Sequence, residues 1–108
     1  MNRQEELEAL NDEGLNHLVY CLRRKVGIHL LDAKTAFGLY DYCNCPADIM
    51  PIAIERKLKL EWDDFDKEYV VYGKAYNGKS VTFINIGHQN PYRAACIVLI
   101  LMKEAENE

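Results

Sequence analysis

The stretch "DYCNCPADIMP", residues 41 to 51, packs two cysteines, two prolines and two aspartates into one short segment. Thiolates bind soft metals and act as nucleophiles, so Cys43 and Cys45 are the first candidates for chemistry, with His17, His29 or His88 as added ligands. A structural zinc site draws on two ligand pairs, usually spaced C-x2-4-C. This chain has a single C-x-C and no second pair. Cys45 therefore reads as the residue preceding a helix and Cys43 as a packed thiol. Cys21 falls on a helix, and Cys96, inside an apolar run, reads as a small core side chain. In "GHQNP", residues 87 to 91, His88 stands beside a helix start, where anions can bind; the simpler reading is a structural loop histidine. Asp63, Asp64 and Asp66 lack the spacing, glycine and distal glutamate of a calcium loop and read as a solvated turn. No P-loop, G-x-G-x-x-G, H-E-x-x-H or G-x-S-x-G pattern occurs in the chain. The expectation is no catalytic residue, no metal and no cofactor.

With 108 residues, 49% of them hydrophobic, residues 1–108 form one domain with one core. The longest apolar run, 94–102, is far shorter than the ~20 residues needed to span a bilayer. The charged start "MNRQEELEAL" lacks the apolar segment of a secretory signal. A cytoplasmic protein with reduced thiols and no membrane contact is expected, with residues 1–10 fraying. The net charge of -4 opposes general nucleic-acid affinity. Basic residues nevertheless gather at 23–25 and at 56–59.

The elements that must position these residues follow from periodicity. Leu15, Leu18, Val19, Leu22 and Val26 recur at helical spacing, with Asn11 or Asp12 as cap and Gly27 as stop. Short strands are expected over 28–31 and 37–42. Pro46 suits a first helical position with Asp48 in the first turn, and Pro51 splits a tight turn over 46–50 from a main helix over 51–59. Asn77-Gly78 between two β-rich runs predicts a type I′ hairpin that pairs Tyr76 with Lys79, Tyr72 with Phe83 and Val71 with Ile84. Asn90 and Pro91 start a last helix that is apolar all round and hence the most buried element. A hairpin apolar on both faces wants cover on both. The expected fold is α+β, a small antiparallel sheet with helices above and below it, an α-β-α sandwich.

Seven tyrosines are present, and Tyr40, Tyr42, Tyr72 and Tyr76 are the candidates for an interaction surface. The "DYCN-x-PAD" stretch, the proline soon after it and the "NP-x-RAA" start of an apolar helix resemble the NinX-type proteins of tailed phages and prophages. A related group is the phage α-β-α sandwich domain. The resemblance spans roughly residues 40 to 108. It departs at Cys45, where the family pattern has asparagine before the proline. It carries no molecular activity and no catalytic residue. What it implies is a phage or prophage accessory protein in the bacterial cytoplasm, in which Cys45, Pro46, Asp48, Asn90 and Pro91 recur because they start helices. The leading expectation is a non-enzymatic protein that binds a host-encoded protein, anti-defence activity being one version, with a homodimer as a further possibility. The alternatives are a nucleic-acid-binding module using 23–25 and 56–59, and a small metalloprotein or enzyme built on Cys43, Cys45 and His88.

Overall fold

Asparagine opens three of the helices in the computed structural model, which describes residues 2–24, 38 and 40–107. Helix α1 (Arg3–Ala9) starts at Asn2, whose Oδ1 accepts from Glu5 N at 2.8 Å. Helix α2 (Asp12–Arg24) follows Asn11, which accepts from Gly14 N at 2.9 Å. Helix α3 (Pro46–Glu55) begins with proline at its first position, after Cys45, which makes no side-chain cap bond. The sheet consists of β1 (Lys59–Asp63), β2 (Glu68–Asn77) and β3 (Ser80–His88). Helix α4 (Pro91–Glu106) closes the chain, with Asn90 Oδ1 accepting from Tyr92 N at 3.0 Å and Arg93 N at 3.3 Å. Helix α1 buries Leu7 completely, and Arg3 Nε bonds Glu104 Oε1 at 2.7 Å.

Helix α3 runs through Pro51 as one element instead of splitting there. An interior proline leaves the carbonyl four residues back without its helical donor. Here that residue is Ala47, exposed as Pro51 is, so water can replace the lost bond. The helix also stops earlier than 59. Lys57 turns into the left-handed region (φ 59°), Leu58 N reaches back to Ala53 O at 2.9 Å, and the chain leaves as β1. Strand β1 has a sequence signal, the alternation of Leu58, Leu60 and Trp62 with Lys59, Glu61 and Asp63, which the helical reading hid.

The sheet is antiparallel in the order β1-β2-β3. Its hairpin is set one residue later than Asn77-Gly78 predicts. Asn77 pairs with Ser80, Tyr76 with Val81, Tyr72 with Asn85 and Val71 with Ile86. Gly78 is thus the first central turn residue, with φ 62°, the requirement of a type II′ turn. Asn77 remains a strand residue and donates from Nδ2 to Ala105 O at 3.3 Å, which ties the turn to the end of α4. The shift moves each partner by two positions, so every side chain keeps its face.

The α+β class, the small antiparallel sheet and a C-terminal helix as the most buried element are as expected. Residues 94–100 and Met102 of α4 are all buried. The layering differs. Helix α4 lies between the sheet, against β2 and β3, and a second layer of α1, α2 and α3. Gly73 lets α4 approach: a Cβ there would lie 2.6 Å from both Met102 Sδ and Val98 Cγ1. No other helix makes more than marginal contact with the sheet among the described residues. The second face of the sheet stays open, with Phe83 72% and Tyr76 61% exposed. Among the described residues helices cover one face, because the all-round apolar surface of α4 recruits α1, α2 and α3 to its far side.

The strands expected over 28–31 and 37–42 fall mostly outside the described residues, and residues 40–42 form no strand. Val26 and Gly27 of the first predicted helix lie outside them as well. Among the described residues no helix is long and apolar enough to cross a membrane.

Candidate functional site

The segment at 41–48 forms a hydrogen-bonded hub among α2, α3 and α4. Asn16, with no exposed surface, donates from Nδ2 to Asp41 Oδ1 and accepts from Cys43 N, both at 3.1 Å. Asn44 Nδ2 bonds Asp12 Oδ2 at 3.0 Å and Asp41 Oδ1 at 3.1 Å. Asn90 Nδ2 donates to Cys43 O at 2.8 Å, and Asp48 Oδ2 accepts from Asp41 N at 3.0 Å. Arg93 closes the hub: it pairs with Asp12 Oδ1 at 2.7 Å and bonds the carbonyls of Glu8 and Leu10 at the α1–α2 junction. Burial alone would raise the pKa of Asp12. The hydrogen bonds from Asn44 and Arg93, and the charge of Arg93, outweigh it and hold the carboxyl below its ordinary value of 3.8.

The cysteines of this segment serve packing. The sulfurs of Cys43 and Cys96 lie 3.8 Å apart as buried free thiols, and burial pushes Cys96 well above the usual thiol range. An activated nucleophile needs the opposite shift. Cys45 is half-buried at the entrance to α3. His88 Nδ1 accepts from Asn90 N at 2.8 Å, so it shapes the turn into α4. His17 Nε2 is buried without a hydrogen-bond partner among the described residues, and His29 lies outside them. Among the described residues no group of three or more His, Cys, Asp or Glu side chains is placed to hold a metal ion. The aspartates after β1 form a solvated turn in which Asp63 Oδ1 accepts from Phe65 N at 2.9 Å.

The tyrosines divide. Tyr40 and Tyr42 stack at 5.4 Å; Tyr42 is buried in the core and offers no contact surface, while Tyr40 is half-buried against it. Tyr72 and Tyr76 point to the open face of the sheet, which they share with Lys74, Val81, Phe83 and Asn85. Strand β1 pairs only with residues 68–72 of β2, so β2 runs on past it with one side free. A groove of about 550 Å³ follows that side. Arg56, Lys57, Lys59 and Lys74 line it together with Tyr72, Tyr76 and Phe83, and among the described residues no carboxylate side chain contributes to its wall. Lys74 Nζ sits 5.6 Å from the centre of the Phe83 ring. Two of the cations are paired with acids: Arg56 with Glu106, and Lys59 with Glu61 of the same face of β1 at 2.9 Å. The basic group at 56–59 thus joins the exposed aromatics, whereas the side chains of 23–25 lie outside the described residues.

Phe83 is the residue that sequence reasoning missed. It was placed as a cross-strand partner of Tyr72, yet it is the most exposed aromatic of the sheet. Its strand alternation assigns a face, and only the packing tells which face is covered. Compared with known proteins, the chain matches no family model, no curated protein and no solved structure.

Proposed function

We propose that this protein is a non-enzymatic binding module whose open sheet face holds single-stranded nucleic acid, in the phage or prophage setting that the NinX-type resemblance implies. The observation that carries the reading is the groove lined by four cations and three aromatic rings, with no carboxylate side chain among the described residues that line it, in a chain of net charge -4. Sequence-tolerant binding of single strands combines cations that follow the phosphates with rings on which bases stack. Lysine is depleted at protein–protein interfaces, and this favours a nucleic acid over the protein partner expected from the tyrosine content.

Fluorescence anisotropy with a labelled oligothymidylate at low ionic strength tests it. Expected is binding that weakens with salt, with a log–log slope of about -0.7 for each phosphate neutralised. Phe83→Ala or Tyr76→Ala then costs about 1–3 kcal/mol, or roughly 5- to 150-fold in affinity. Absence of binding at the lowest salt overturns the reading, as does binding indifferent to both substitutions. If oligonucleotides fail while a purified host protein binds wild type and not Tyr76→Ala, the same face serves a protein partner and the nucleic-acid reading is wrong.

A further inference from the structure

The two edges of the sheet are built differently. Strand β1 is five residues long and places Lys59, Glu61 and Asp63 along it, the usual protection against pairing with another chain. Strand β3 is nine residues long and contains no Asp, Glu, Lys, Arg or Pro. Among the described residues its outer side pairs with no strand. A groove of about 390 Å³ runs along residues 82–85 on the helix side, separating the strand from Arg3 and Gln4 of α1 and Leu101 of α4, so among the described residues no helix closes over that edge. A long, uncharged edge of this kind is a template for another strand.

The ladder says which groups are free. The pair that flanks a two-residue turn, here Asn77 and Ser80, exchanges both of its backbone bonds, and the pattern alternates from there. Val81, Phe83, Asn85 and Gly87 therefore aim their N–H and C=O groups away from β2. Ile84 is the midpoint of the strand.

We propose that β3 pairs antiparallel with β3 of a second copy about a two-fold axis at Ile84, joining two sheets into one of six strands. In that register Val81 faces the partner's Gly87 and Phe83 faces the partner's Asn85, all of them residues with free backbone groups. Phe83 and Val81, 72% and 43% exposed in the single chain, lose water-exposed surface at the seam, and the two Phe83 rings become diagonal neighbours. Charge complementarity favours a second copy as the occupant. Lys79 immediately precedes β3 at its start, while the Glu68 carboxylate lies over Gly87 near its end. Antiparallel pairing sets the basic end of each strand beside the acidic end of the other. The proposal does not rest on the ligand reading above, although the two share Phe83.

Light scattering coupled to gel filtration tests it on the full chain. Wild type is expected at twice the 12.5 kDa of one chain. Asn85→Pro removes only an outward N–H, so it is expected to keep the wild-type circular dichroism and elute as a monomer. Phe83→Lys brings like charges together across the axis and is also expected to be monomeric; it decides the matter if the proline variant does not fold. Under oxidation Ile84→Cys is expected to form a disulfide-linked dimer, as facing residues on the axis would. A monomeric wild type over a wide range of protein concentration overturns the proposal. So does a dimer that survives both Asn85→Pro and Phe83→Lys.

Discussion

Replacing Asn16 by alanine tests whether the hub stabilises the fold through burial or through the number of its bonds. Asn44 makes more side-chain hydrogen bonds than Asn16, but it is exposed, while Asn16 has no accessible surface. In Asn16→Ala the buried Cys43 N–H loses its acceptor, a cost of about 1–3 kcal/mol. A void of roughly one water volume, ~30 Å³, adds ~0.7 kcal/mol at about 24 cal/mol per Å³. The better helix propensity of alanine returns about 0.6 kcal/mol. The sum is a loss of about 1–3 kcal/mol, to be read at an m-value of about 1.5 kcal/mol/M as a fall in the urea midpoint of roughly 0.7–2 M. Asn44→Ala, whose groups are rehydrated on truncation, is expected to cost under ~1 kcal/mol. If equilibrium unfolding shows Asn44→Ala to be equally or more costly, the ranking by burial is wrong.

Gly73→Ala places a methyl group against Val98, whose branched side chain has little freedom to move, and against Met102, so a loss of about 1–2 kcal/mol is expected in urea melts despite the better strand propensity of alanine. The carboxyl of Asp12 titrates below its ordinary value when folded, so its contribution to stability is present at neutral pH and is lost as the pH falls through the acid range. Melting temperatures of Asp12→Asn are expected to depend less on pH between about 5 and 2 than those of wild type. Cys45 alone of the four thiols is not buried, so an aromatic disulfide reagent is expected to modify it quickly and Cys21, Cys43 and Cys96 only on unfolding. Fast reaction of Cys43 or Cys96 in the native protein would contradict their packing role.

The legible parts of the fold are those decided by near neighbours in the chain. Pro46 and Pro91 mark helix starts because a fixed φ and a missing N–H suit a first turn whatever lies around it. The solvated turn after β1 follows in the same way from short acidic side chains that bond their own backbone. The hub was less legible. Asn16, Asp41, Asn44 and Arg93 lie far apart in the chain, and nothing in "DYCN" announces that its partners come from α2 and α4. The candidate surface is half legible: Tyr72 and Tyr76 lie on it, but Tyr42, of the same residue type, belongs to the core and Tyr40 packs half-buried against it.

By itself the sequence determined three helix starts, one hairpin and a C-terminal helix with no polar side in its middle, since capping, turn chemistry and periodicity act over a few residues. Which face of the hairpin is covered was decided only by tertiary structure. Val71 with Ile86 and Tyr72 with its neighbours make both faces look apolar in the sequence, and alternation cannot rank them. Helix α4 resolved it by taking the sheet on one side and α1, α2 and α3 on the other, which left no helix among the described residues to roof the aromatic face.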